Sequence, residues 1–270
     1  MARSSLVRMG SHHGRLGDLL VDRLPAVAVS FADDLPDVEV ENWIASGLDV
    51  AELRIDWFSS FDPDHVVTQA RRFDRFATIA TIRSRAEGGE WSGSEEERLS
   101  LFCDLLPHVD AVDIELSSDS ILERAIGEAH RGGVTVIVSH HDFSDTPAPD
   151  ELQRIDERAR AAGADLVKVA VRGNSLQDIR VLAEFTLRRS DWGVIVLAMG
   201  PWGPLSRVLL PALGSRLTFA RGDFHAGSIA AQRAVPGQIG FDEHRALLEA
   251  LYPSFPEETD PGEAPDKAVS

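Results

Sequence analysis

Eight short apolar segments recur along the chain, separated by stretches of helical periodicity. This alternation limits the possible folds more tightly than any other feature. The segments are AVAVSF (26–31), VAELRI (50–55), ATIATI (77–82), AVDIEL (111–116), VTVIVSHH (134–141), LVKVAV (166–171), GVIVLAM (193–199) and RLTFARG (216–222). Each is rich in Val, Ile or Ala and has the length of a strand. Between them, stretches such as EEERLSLFCDLLPHV and DELQRIDERARAAG space their apolar residues for one helix face and put charges on the other. Ser94, Asp150 and Ser175 stand where N-caps belong, and Gly132–Gly133 and Gly163 follow helix ends. Strands alternating with helices build right-handed βαβ units on a parallel sheet. Eight such units in 270 residues predict the α/β class, with a single-domain (β/α)8 TIM barrel over 25–252. FDEHRALLEALYPSF supplies the eighth helix. No GxGxxG follows the first strand, which argues against a dinucleotide-binding doubly wound sheet. Residues 1–24 read as a flexible N-terminal extension and 253–270 as an acidic disordered tail.

Charge narrows the partners. The formal net charge of −17 repels nucleic acid and anionic lipid, so neither is expected to bind. An excess of Asp and Glu, with Arg in place of Lys, fits a halophilic protein whose self-repulsion is screened by concentrated salt. The one cysteine, Cys103, rules out an intramolecular disulfide, and no spacing suits a zinc site. No apolar run reaches transmembrane length, and the first twenty residues lack the apolar core of a signal peptide. The expectation is a cytoplasmic protein.

Against this background one residue stands out. Only two lysines occur, Lys168 and Lys267, and Lys168 lies inside an apolar, β-branched strand. In a barrel of this class the chemistry sits where the strands end at their C-terminal face. The ends here read Ser30, Glu52/Arg54, Arg83, Asp113/Glu115, His140/His141, Lys168 and Met199. A few polar ends merely emerging into solvent would be ordinary; six successive ones, of both signs, point to an active site. Apolar walls and nearby cations (Arg54, Arg83) are expected to favour a neutral Lys168 amine, a nucleophile able to condense with a ketone. Guanidinium cannot do this. The plain alternative is a lysine paired with Glu115 or Asp113, a role that a lysine-poor chain would more naturally give to arginine.

Strand parity sorts the remaining candidates incompletely. Lys168 shares a face with Leu166 and Ala170, while Val167, Val169 and Val171 face the helices. In SHHDF (139–143), His141 goes with Ser139 and His140 with Val138, and parity alone does not choose between the histidines. Adjacent histidines on a strand point apart, so they do not form a metal site together. TIRSRAEGGEW (81–91) turns at Gly88–Gly89 and places Glu87 on a loop over the mouth. LAMGPWGPLSRVL (197–209) leads to Arg207 at a helix start, a natural anion holder. GSIAAQRAVPGQIG (227–240) follows strand eight as either a mobile lid or an inert linker.

Together, AELRID, TIRSRAEGGEW, VDIEL, VSHHDF, LVKVAV, MGPWGPLSR and AVPGQ resemble type I 3-dehydroquinate dehydratase, in order from about Val27 to Gln238. The resemblance implies a Schiff-base lyase of the shikimate pathway acting on 3-dehydroquinate, without cofactor or metal. It implies that Lys168 forms the imine and that His141, directly before Asp-Phe, is the acid and base, with a pKa near the working pH. Glu87 then matches the carboxylate that orients this histidine, and Arg207 the partner of the substrate carboxylate. Glu52, Arg54 and Arg83 match a polar floor for ring hydroxyls. Ser30, Met199, Phe219, Ala234 and Gln238 match further substrate contacts, and a homodimer is implied. The chain departs from the family in extra residues around GDFHAGS and in Ala234, where serine is common. Other functions remain in competition: a class I aldolase would use the same strand but needs a phosphate cradle, and a catalytically dead sensor would have lost Lys168 or His141.

Overall fold

The computed structural model describes residues 25–190, 193–225, 227–233 and 235–252. The expected flexible start (1–24), the expected tail (253–270) and Ala234 lie outside the described residues.

All eight predicted segments are strands: β1 Ala26–Phe31, β2 Val50–Arg54, β3 Ala77–Thr81, β4 Ala111–Glu115, β5 Thr135–Asp142, β6 Leu166–Arg172, β7 Val194–Met199 and β8 Leu217–Ala220. They pair in parallel in the order β7-β6-β5-β4-β3-β2-β1-β8. A single bridge, Val194 to Ser215, links β7 back towards β8, so the barrel is nearly closed. At this seam serine hydroxyls replace the missing ladder. Val196 N–H donates to Ser215 Oγ and Ala198 N–H to Ser206 Oγ, each at 2.9 Å.

The helices alternate as expected: α1 Asp37–Ala45, α2 Pro63–Arg71, α3 Glu95–Leu105, α4 Leu122–Arg131, α5 Pro149–Ala162, α6 Leu176–Arg189, α7 Gly203–Ala212, then a short α8 Ile229–Gln232, and α9 Phe241–Leu251. Ser94 and Ser175 both cap through complete capping boxes. Asp150 is not an N-cap. The helix starts one residue earlier at Pro149, whose fixed φ and missing N–H suit the first helical position. Gly163 ends α5 at φ 107°, where a Cβ would be strained.

Alternation along the strands divides the apolar residues into two cores. Val27, Val29, Leu53, Val136, Val167 and Val169 belong to the large core shared with the helices. Ala28, Val50, Ile79, Ile137, Leu166 and Ile195 fill the barrel interior. The interior is therefore apolar towards the N-terminal ends of the strands. Further along the same faces come Ser30, Glu52, Asp113, Ser139 and Lys168. Period-two alternation plus one closed sheet makes these side chains converge.

Candidate active site

Lys168 is 5% exposed and points into the barrel beside Leu166 and Ala170, as parity predicts. Its register partners are Ser139 on β5 and Ile195 on β7. Nζ donates to Asp113 Oδ2 at 2.8 Å, lies 3.5 Å from Glu52 Oε1, and sits 4.4 Å from the Phe219 ring centroid. The apolar wall is present, but the expected neighbouring cations are not its closest charged groups. Carboxylates from β2 and β4 hold that place, because both register positions point inward next to Lys168.

Asp113 joins Lys168 to Arg83. Arg83 Nη2 donates to Asp113 Oδ1 at 2.8 Å, and Nη1 donates to Ser139 Oγ at 2.7 Å. Ser139 donates in turn to Asp113 Oδ1 at 2.6 Å. Burial alone would raise the Asp113 pKa; the Arg83 and Lys168 charges override it and hold the carboxyl far below the usual range.

The two histidines differ in their contacts. His141 Nδ1 lies 2.9 Å from Glu87 Oε2, and the His141 backbone N–H donates to that same oxygen at 2.9 Å. Glu87 Oε1 accepts from Ser117 Oγ at 2.6 Å. A carboxylate only accepts, so Nδ1 carries the proton and Nε2 is left with a free lone pair. Burial, reinforced by Arg83 and Lys168, pushes the His141 pKa well below its ordinary 6.5. Burial raises that of Glu87. His140 faces the other way, among Asp142, Glu151 and Arg158.

The floor is made of pre-oriented groups. Glu52 Oε1 accepts from Thr81 Oγ1 at 3.0 Å, and Glu52 Oε2 accepts from Ser30 Oγ. Arg54 forks onto Asp56 at 2.9 and 2.8 Å and lies 3.8 Å from the Trp57 ring centroid. Asp56 also accepts the Glu90 N–H at 3.1 Å, fixing the loop after Gly89. In the segment after β8, Gly237 packs so closely on the turn before α7 that a Cβ would lie 2.4 Å from Gly200 O. This approach seats Gln238, whose Nε2 reaches Ala220 O at 3.4 Å.

Arg207 is not at a helix start. It lies one turn into α7, beneath the β7–β8 seam, where Nη1 donates to Ala198 O at 2.7 Å and Nε to Phe219 O at 3.0 Å. Among the described residues no carboxylate pairs with it, and burial lowers its pKa to about 10. A buried guanidinium bound only to neutral carbonyls is a ready partner for an anion.

Ser30, Glu52, Arg54, Arg83, Glu87, His141, Lys168, Met199, Arg207, Phe219 and Gln238 all line one cavity of about 160 Å³. These are all the predicted site residues that fall within the described chain; His140 does not line it. Among the described residues no group of three or more His, Cys, Asp or Glu is placed to hold a metal ion.

The family model for type I 3-dehydroquinase matches residues 26–254. The 3-dehydroquinate dehydratase of Methanosarcina acetivorans is 36% identical over 214 residues, 76% of this chain and 86% of that protein. That of Methanococcoides burtonii is 30% identical over 241 residues, 88% of this chain and 99% of that protein. The chain belongs to the type I 3-dehydroquinase family. It is accordingly a hydro-lyase. Among solved structures, the type I 3-dehydroquinate dehydratase of Clostridium difficile, bearing covalently modified comenic acid, superposes with a TM-score of 0.76 at 29% identity. The match covers 86% of this chain and 94% of that one.

Within this type I 3-dehydroquinase barrel, sequence reasoning left several site residues without a role. Asp113 stood in the row of strand ends with no role beyond the plain alternative of an ion pair with Lys168, a pairing that is present, and Ser139 shared a face with His141. Asp56 and Trp57 lie two and three residues after Arg54, and only the structure shows that they clamp it.

Proposed function

We propose that the protein dehydrates 3-dehydroquinate to 3-dehydroshikimate in the shikimate pathway, through an imine on Lys168. One observation carries the reading: a buried lysine and a carboxylate-oriented neutral histidine face the same cavity as an arginine that has no counter-ion among the described residues. Arg207 receives the substrate carboxylate, and Arg54, Glu52 and Ser30 hold ring hydroxyls. Lys168 Nζ adds to the ketone carbon and water departs, leaving a carbon–nitrogen double bond. That bond is an electron sink for the neighbouring carbon, so the developing negative charge is stabilised where it forms. His141 Nε2 removes the adjacent proton, the electron pair enters the enamine, and the departing hydroxyl takes the proton back from His141. Water then hydrolyses the imine and frees Lys168. Neutral His141 is the form needed for the first proton transfer, which suits its lowered pKa.

The family supplies further expectations, a cytoplasmic location and a homodimer, which fractionation and light scattering would test. Among the described residues no helix is long and apolar enough to cross a membrane.

The decisive experiment mixes the protein with 3-dehydroquinate and follows the enone absorbance of the product. Borohydride added with substrate should inactivate the enzyme and leave a reduced adduct on the peptide containing Lys168. Borohydride alone should do nothing. No absorbance change, or an adduct on Lys267 or the N-terminus, would refute the assignment.

A further inference from the structure

Arg98 on α3 is fully buried, at 0% exposure, yet it lines no part of the cavity. Arginine is almost never buried so completely without a partner. Its Nη2 donates to Glu115 Oε2, and its Nη1 lies 3.2 Å from Ser118 Oγ and from both Glu95 carboxylate oxygens. The other oxygen of Glu115, Oε1, lies 3.0 Å from Arg83 Nη1 and accepts the Ser84 N–H at 2.8 Å. Arg83 is bound in turn to Asp113 and Ser139, and Asp113 to Lys168. Charges of alternating sign therefore run from the helical layer to the cavity: Arg98, Glu115, Arg83, Asp113, Lys168.

We propose that Arg98 and Glu115 are positioning residues for Lys168. Arg98 holds the charge of Glu115, so that Arg83 stays on Asp113 and Ser139. Glu115 also pins Ser84, the residue between Arg83 and the short Arg85–Glu87 turn that carries Glu87 to His141. The inference rests on the roles given to Lys168 and His141 above.

The physical reason lies in how Arg83 is shared. Two buried carboxylates face its one guanidinium, Asp113 at 2.8 Å and Glu115 at 3.0 Å. With Arg98 present, each Glu115 oxygen has its own cation. Without it, the full charge of Glu115 falls on Arg83 and competes with Asp113 at nearly equal distance. An Arg83 drawn outward loosens Ser139 and leaves Asp113 to act on Lys168 alone. Stability does not explain the pair, because well-packed apolar residues in place of a buried ion pair are often as stable or more so.

The test measures kcat, KM and melting temperature for Arg98→Met, Arg98→Lys and the double variant Arg98→Met/Glu115→Gln. Wild-type turnover of 3-dehydroquinate decides the function proposed above; only the ratios to wild type decide this inference. Arg98→Met should lower kcat by about tenfold to a hundredfold, as misplacements of about 1 Å do. KM should change by less than about threefold, because Arg207 and Arg54 are untouched. Arg98→Lys keeps the charge and should regain kcat to within about threefold of wild type. The double variant buries no unpaired charge and should be faster than Arg98→Met. The rate at which trinitrobenzenesulfonate labels the Lys168 peptide should follow the same order without substrate. A kcat for Arg98→Met within about threefold of wild type, or a double variant as slow as Arg98→Met, would overturn the proposal. If Arg98→Met does not fold, the double variant decides alone: near wild-type kcat supports the charge-holding role, and a folded protein more than about a hundredfold slower refutes it.

Discussion

His141 and Glu87 are joined twice through one oxygen: Glu87 Oε2 lies 2.9 Å from both the ring Nδ1 and the backbone N of His141. The ring tautomer and the strand position are therefore fixed by one carboxylate. His141→Ala should lower turnover by roughly a hundredfold or more, because it removes both base and acid. His140→Ala, on the helix-facing side, should cost much less. Steady-state rates of the two variants check this, and equal losses would break the assignment.

The same burial sets a pH dependence of stability. His141, His140 and His244 all have pKa values lowered below 6.5 by burial. For each, the folded state binds a proton less readily than the unfolded chain. Their contribution is thus fully present above the unfolded value and is lost as pH falls below it. Asp113, Glu52 and Glu115, also lowered in the fold, add the same trend further into acid. Glu87, raised by burial above its ordinary 4.5, acts instead above that value and opposes the histidine trend there. The melting temperature should be flat above about pH 7 and fall steadily below about pH 6.5. A melting temperature that rises on acidification to pH 5, a value chosen about 1.5 units below the ordinary histidine pKa, would contradict the burial of these histidines.

Lys168→Arg keeps the charge but cannot form an imine, so turnover should vanish while the protein remains folded. Lys168→Met should be equally inactive and less stable by about 2 kcal/mol, since Asp113 loses one of its charge-assisted bonds. Chemical denaturation of both variants measures this. Appreciable dehydration by Lys168→Arg would end the imine mechanism.

Arg207 holds two strands as well as facing the cavity. Arg207→Met should raise KM by about a hundredfold through loss of the carboxylate partner. It should also lower the melting temperature, because Ala198 O and Phe219 O at the seam each lose a charged donor. A KM change with no stability change would remove the seam from Arg207's role.

Salt tests the surface. With a net charge of −17, folding and activity should improve from dilute to molar salt as self-repulsion is screened. A melting temperature that is flat or falls across that range would mark the acidic surface as unrelated to salt.

The sequence by itself determined the barrel, the inward face of the Lys168 strand and the list of strand-end residues. Those follow from period-two and period-3.6 alternation, which are local properties of the backbone and leave their mark on the order of residues. Lys168 was conspicuous because a lysine-poor chain kept one inside an apolar strand. Asp113 and Glu115 could be named as possible partners, but which groups Lys168 meets was not legible. That Asp113 rather than Arg54 lies nearest Lys168, that Arg207 spans the β7–β8 seam, and that Arg98 reaches Glu115 from a helix all depend on register between strands and on how far each side chain extends. Asp113 is 55 residues from Lys168, and Glu87 is 54 from His141. Only closing the sheet brings such pairs within hydrogen-bond distance, and only there does burial make their charges strong enough to set one another's protonation.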